Sequence, residues 1–460
     1  MTRMLFAADA LLPAGWVKNV LLSWDDAGHL MQVQSAAQPP AGAQVANGPV
    51  IPGMPNLHSH AFQRAFAGLT EHRAEQQDSF WSWRTLMYRF AARLGPQHME
   101  AIATWLYAEM LEAGYTSVCE FQYVHHDADG KPYADDATLS LALLRAARKA
   151  GIGFTLLPVL YQTGGFGDVP PTEGQRRFIR STDSMLRLLD ALKPVCDEQG
   201  ARLGMAPHSL RAVPPEALRD AIAGLEAIDR TAPIHIHIAE QTKEVDDCVE
   251  WSGLRPVEWL LDHAPVDARW CLVHATHMNA AEYEYAAKSG AVAGLCPTTE
   301  ANLGDGIFDF PQWRSHGGAW GVGSDSHASV NAAEELLMLE YGQRLSRRQR
   351  NVGASAVQPH VATAFTLEAV QGGAQASGRA VGGLAVGQQA DFVVLDAAHL
   401  ALQGLSAPDM LSAHVFASHR TSAIDSVWAA GRARVVAGRH TLHDDAAAAF
   451  VAARTQLLKD

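Results

Sequence analysis

Pro233-Ile234-His235-Ile236-His237-Ile238-Ala239-Glu240 is the stretch on which the reading of this 460-residue chain turns. A short run of β-branched residues opened by proline predicts a strand. Residues i and i+2 of a strand project to the same side, so His235 and His237 share a face. Glu240 has the opposite parity and falls on the loop that follows.

Working outward, similar runs recur between about residues 50 and 330. Residues 50–54 lead into Asn56-Leu57-His58, and residues 115–121 come next, after an amphipathic stretch through Trp105 and Leu111. Residues 153–159 and 202–206 precede the quoted stretch; residues 270–274, 291–296 and 319–323 follow it. Segments such as 184–192 and 217–225 are long enough for crossover helices. Strands alternating with helices imply a parallel sheet, and eight such units imply an α/β fold, a (β/α)8 TIM-like barrel with its helices outside. An open doubly wound sheet has no Gly-x-Gly-x-x-Gly turn in its favour. Both ends of the chain read as turn-linked strands, each too short to fold well alone. Residues 1–49 are therefore expected to join residues 381–460 in a small β-rich domain beside a catalytic barrel of residues 50–380.

Composition narrows the function. Hydrophobic residues make up 48% and charged residues 18% of the chain, enough for a full core and against disorder. The 36 Lys+Arg against 49 Asp+Glu leave a net charge of −13, with no basic stripe for nucleic acid. Apolar runs are interrupted before the roughly 20 residues a bilayer requires, so no membrane partner is expected. An early acid and the lack of a cleavage site argue against a signal peptide. Five scattered cysteines without a Cys-x-x-Cys pair fit reduced thiols in a cytoplasmic protein.

Chemistry-bearing residues gather at the strand ends. His58-Ser59-His60 follows the first run, His237 ends the fifth strand, His274 ends the sixth, and Asp325 stands in Gly323-Ser324-Asp325-Ser326-His327 after the eighth. The C-terminal rim is where barrel active sites form. Three histidines and one aspartate suit zinc, with water completing an open catalytic site.

The set His58-x-His60, His237-x-x-Glu240, His274 and Asp325, with the split terminal domain, resembles the amidohydrolase superfamily. The likeness is to its zinc-dependent aminohydrolases of guanine, cytosine and chlorotriazines. Pro55-Asn56-Leu57-His58-Ser59-His60-Ala61-Phe62-Gln63-Arg64 and Ser79-Phe80-Trp81-Ser82-Trp83-Arg84 resemble, more narrowly, the formimidoylglutamate deiminases. The resemblance implies one zinc ion, or another divalent transition metal, on His58, His60, His237 and Asp325. Met205-Ala206-Pro207-His208 has no lysine at the fourth strand's rim, so the carboxylated-lysine bridge of two-metal relatives is absent.

The implied reaction is hydrolysis of N-formimidoyl-L-glutamate to N-formyl-L-glutamate and ammonia, in histidine degradation. Asp325 and His274 would accept the proton of the attacking water, and Glu240 would carry a proton to the departing nitrogen. Gln63, Arg84, Tyr123, His208 and Arg211 would bind the glutamate portion of this small dicarboxylate or polarise its imino group. Arginine suits the task because its planar fork pairs with a carboxylate. By resemblance to relatives that are commonly dimers, a homodimer is expected. A purine, pyrimidine or triazine deaminase is the alternative, and it would favour an aromatic sandwich over paired arginines. A metal-binding scaffold without chemistry is disfavoured by Glu240 and His274 standing beside the ligands.

Other residues are expected to stay outside the chemistry. His125-His126 reads as a solvated loop pair, and His235 as packing one layer deeper than His237. His277 and His327 are out of step with the ligands, and residues 296–306 read as a loop covering the site.

Overall fold

The β-branched runs become eight parallel strands in the computed structural model, which describes residues 3–71, 80–418 and 421–459. They are β1 (Met54–Ser59), β2 (Tyr115–Gln122), β3 (Gly153–Leu160), β4 (Ala206–Pro207), β5 (Ile234–Ile238), β6 (Trp270–His274), β7 (Val292–Leu295) and β8 (Ala319–Val322). Nearly every residue in them is buried, because helices cover the outer face. Hydrogen bonding runs β4-β3-β2-β1-β8-β7-β6-β5. The seam between β4 and β5 is closed by a bridge from Met205 to Ile234, with Met205 N donating to Pro233 O and His235 N to Met205 O, both at 3.1 Å. The fold is the TIM-like barrel expected of eight βα units.

Two strand boundaries differ from the sequence reading. Val50–Pro52 does not begin the barrel; it pairs with Phe392–Leu395 and Arg3–Leu12 in a second sheet. Gly53 marks the change of sheet: a Cβ there would lie 2.3 Å from the Thr116 side chain. The fourth run is broken into Arg202–Leu203 and Ala206–Pro207, each paired with β3. The break is at Gly204, where a Cβ would sit 2.4 Å from Pro233 O.

The second sheet is drawn from both ends of the chain. Its order is Arg439–His440, Arg432–Val436, Ile424–Ala429, Phe392–Leu395, Val50–Pro52, Arg3–Leu12, Gly15–Trp24, Leu30–Ser35. Trp24, Phe392 and Trp428 pack ring against ring at its centre, 5.4–5.7 Å apart. The C-terminal helix His443–Leu458 leaves this sheet and lies along the barrel helix Pro96–Glu112, with Phe450 stacked on Trp105 at 6.1 Å.

Two features fix the rim. At the far end of the barrel the helix Val361–Ser377 closes the interior: Thr155 Oγ1 donates to Ser377 O at 2.9 Å, and His235 Nε2 meets Ala376 O at 2.8 Å. His235 is thus a packing residue one layer below the rim. At the near end, β1 and β8 are tied together by Asp325 N donating to His58 O at 3.0 Å and His60 N to Asp325 O at 3.3 Å. Gly323 permits this approach, since a Cβ there would lie 2.8 Å from His58 Cβ and N. Gly323→Ala is therefore expected to lose about 1–3 kcal/mol through overpacking against backbone that cannot yield. The check is the midpoint of denaturant unfolding at unchanged slope; an unmoved midpoint would contradict the contact.

Candidate active site

The rim brings four donor atoms together. His58 Nε2 lies 3.1 Å from His60 Nε2 and 3.0 Å from His237 Nε2. Asp325 Oδ1 is 3.5 Å from His58 Nε2 and 3.3 Å from His60 Nε2. Tetrahedral coordination with arms of about 2.1 Å separates ligand atoms by about 3.4 Å, so these separations have the size of a small divalent ion's shell. All four side chains are buried, His58 completely.

Protonation favours ligation. His60 Nδ1–H donates to Phe121 O at 2.9 Å and His237 Nδ1–H to His208 O at 3.1 Å, which leaves both Nε2 atoms with lone pairs facing the cluster. Burial lowers the His60 pKa to about 3, and burial with neighbouring imidazoles lowers His58 and His237. The rings are neutral, the form that binds metal. Behind them Glu120, its own pKa raised to about 7 by burial, accepts from Ser59 Oγ at 2.7 Å and Ala61 N at 2.6 Å, bracing the backbone around His60.

Beside the donors runs a row of acids around one imidazole. Ile238 pairs with His274, so β5 and β6 end level and Glu240 and His274 leave the barrel side by side. His274 Nε2 is 3.8 Å from Glu240 Oε1 and 3.7 Å from Asp325 Oδ2, and Nδ1 is 3.3 Å from Glu300 Oε1. Burial alone would lower its pKa, but Glu240, Glu300 and Asp325 outweigh it and hold it at about 10. Asp325 is raised to about 7, chiefly by burial. Left-handed backbone recurs along this rim, at Ala239 (φ 49°), His274 (φ 66°), Ala275 (φ 49°) and Asp325 (φ 44°). Non-glycine residues tolerate that conformation only where the surroundings impose it, and it clusters at sites of chemistry.

A cavity opens over these groups. His60, His237, Glu240, His274 and Asp325 face it from the barrel, and Gln63, Arg84, Tyr123, His208 and Arg211 from its walls. Gln63 Nε2 donates to Tyr123 OH at 2.8 Å. Burial lowers the His208 pKa, helped by Arg211 and Arg84, so its ring is neutral. Burial would also lower Arg211, yet Glu244, 4.0 Å away, with Tyr161 and Glu240 holds it above its ordinary value. Every residue singled out in the sequence for the site is therefore brought to one place. Of the Ser79-to-Arg84 motif, Ser79 and the side chains of Phe80, Trp81 and Ser82 lie outside the described residues.

Some expectations are corrected. His125 and His126 are not solvated: both are buried, bonded to Val159 O and Ile179 O at 2.9 Å. Residues 297–303 are a helix, Pro297–Leu303, rather than a loop. Pro297 at its first position was the readable signal, and Glu300 one turn on accepts from Cys296 N at 2.9 Å. Cys296 can meet His274 and Asp325 within 4.8 Å, but burial raises its thiol pKa well above the ordinary value and keeps it protonated. Tyr88 and Tyr161 also line the cavity and went unremarked. Tyr161 directly follows β3, so the rim rule could have found it.

Comparison with known proteins agrees with this geometry. The model of the amidohydrolase family matches residues 50–434. The chain is 51% identical over 454 residues to formimidoylglutamate deiminase of Pseudomonas aeruginosa, covering 99% of each chain. It is 27% identical over 421 residues to 8-oxoguanine deaminase of the same species, covering 89% of this chain and 88% of that one. The crystal structure of an amidohydrolase from Brucella melitensis aligns with a TM-score of 0.94 at 46% identity, over 99% of this chain and 100% of that one. The chain belongs to the amidohydrolase family.

Proposed function

We propose that the protein hydrolyses N-formimidoyl-L-glutamate to N-formyl-L-glutamate and ammonia, in histidine degradation. The observation that carries this reading is the pair of arginines, Arg84 and Arg211, on the wall of a cavity whose floor is the His–Asp–Glu cluster. A dicarboxylate needs two such cations; a neutral purine or triazine ring does not. The 51% identity to formimidoylglutamate deiminase over nearly the whole chain supports the same choice.

His58, His60, His237 and Asp325 are the residues to hold one divalent cation, zinc by the chemistry of three imidazoles and a carboxylate. Such a cation supplies Lewis-acid activation of water at neutral pH. The chain's own residues do the rest. Asp325 Oδ2 takes a proton from the attacking water, and the His274 ring stabilises the oxygen as negative charge develops. Glu240 carries a proton to the leaving nitrogen, because ammonia departs far more readily than an amide anion, and Asp325 gives up the one it took to complete the ammonia. The balance is a C–O bond formed at the imino carbon, the C–N bond broken, and both water protons delivered to nitrogen. Gln63, Tyr123 and His208 orient the imino group, while Arg84 and Arg211 hold the carboxylates.

The same reading takes the protein as a cytoplasmic homodimer, with the two chain ends as a unit beside the catalytic barrel, Val50–Pro52 lying in the sheet of the ends rather than in the barrel. Five free, buried cysteines support the compartment. Among the described residues, no helix is long and apolar enough to cross a membrane.

Ammonia release decides between substrates: formimidoylglutamate should be turned over and guanine should not, and the reverse would overturn the reaction. Glu240→Gln is expected to lower kcat roughly 100- to 10,000-fold, as removal of a proton carrier does, with substrate binding retained. Chelation should abolish turnover, and elemental analysis of the active protein should return one zinc per chain. Arg84→Met should raise KM for the dicarboxylate about 10- to 100-fold, the worth of a hydrogen bond to a charged group.

A further inference from the structure

Tyr161 stands at the end of β3, buried, with its ring edge-on to His208 at 4.6 Å, and lines the cavity. That oxygen accepts two hydrogen bonds, from Gln175 Nε2 at 2.7 Å and Arg84 Nη2 at 3.1 Å. The orientation of the Gln175 amide is fixed by its other end. Oε1 accepts from Thr172 N at 2.7 Å and from the Thr172 hydroxyl at 3.0 Å, so Nε2 must be the end turned to the phenol. With two N–H groups aimed at its oxygen, the Tyr161 hydroxyl cannot give its proton to either neighbour. Among the described residues no acceptor takes it. The remaining direction is the cavity.

We propose that Tyr161 is a carboxylate-binding residue, whose O–H joins the Arg84 guanidinium in a clamp on one carboxylate of the substrate, and that Gln175 is the positioning residue that aims it. This rests on the dicarboxylate reading above and adds a specificity determinant to it. A phenol beside a guanidinium offers a carboxylate oxygen a directed, charge-assisted bond in addition to the cation's own. Glutamine at 175 is required chemically. It accepts from the Thr172 turn and donates to Tyr161 at once, which neither a carboxylate nor an aliphatic side chain does.

The test is a kinetic and binding series on the metal-loaded protein. Tyr161→Phe keeps the ring contacts with His208 and Phe178 and removes only the hydroxyl. It should raise KM for formimidoylglutamate about tenfold, the worth of one bond to a charged acceptor, and leave kcat near its starting value. Of two substrate analogues in which one or the other carboxylate is a primary amide, one should be indifferent to Tyr161→Phe. Gln175→Met should raise KM in the same sense, and should add nothing in the Tyr161→Phe background, the non-additivity expected of groups acting through one bond. An unchanged KM in Tyr161→Phe, or equal losses on both mono-amides, overturns the clamp. Calorimetric titration with glutarate separates this from the reaction itself. Wild-type protein that binds glutarate through Tyr161 yet releases no ammonia from formimidoylglutamate overturns the reaction and supports the clamp. Turnover with glutarate binding indifferent to Tyr161→Phe does the opposite.

Discussion

Two imidazole nitrogens, of His60 and His237, within 3.1 Å of a third, that of His58, at the buried rim of a barrel, are a constraint that everything around them serves. Two of the rings cannot relieve the crowding by sharing a proton, because Phe121 O and His208 O have already fixed their protons on the far nitrogen. A cation held on all three lone pairs would turn that crowding into binding, and its affinity would then be part of folding free energy. The hydrogen bonds tying β1 to β8, the glycine that lets the two strands touch, and the buried Glu120 bracing Ser59 and Ala61 all resist the same outward push.

The electrostatics beside that cluster run the other way. Glu240, Glu300 and Asp325 surround His274, and their combined field outweighs the burial that would strip its proton. A cationic ring is thereby kept where negative charge would develop on an attacking oxygen, while the three rings that face the cluster stay neutral. Identical side chains a few ångströms apart take opposite charge states because the nearest neighbours are carbonyl oxygens and other imidazoles in one case and carboxylates in the other.

Much of this was legible in the sequence because it depends on strand parity and strand ends. The two-residue period put His58 with His60 and His237 above His235, and the rim rule gathered His274 and Asp325. What was not legible depends on how segments fold back over the rim. Nothing local in His125-His126 says that carbonyls from Val159 and Ile179 will reach them. Nothing in a short turn at Thr172 says that its Gln175 will meet a tyrosine fourteen positions earlier in the chain. The sheet change at Gly53 was hidden for a related reason: residues on its two sides are equally apolar, and only the clash with Thr116 tells them apart.

That division has a functional consequence. The proposed ligands, with Glu240 and His274, sit at strand ends, the most rigid part of the barrel, and their relative positions follow from sheet register. Part of the proposed substrate recognition stands on other elements: Arg84 on the helix Phe80–Arg93, Arg211 in the segment after β4 and Gln175 in the short helix Glu173–Gln175, meeting Tyr161 at the end of β3. Register can hold the chemistry fixed while these covering segments vary, since loops and short helices over a rigid frame tolerate change that strands do not. On that proposal substrate choice in this chain is a property of how the cover is wired to itself, through contacts such as Gln175 to Tyr161 to Arg84, and a change of substrate would require rewiring those contacts without moving a single strand.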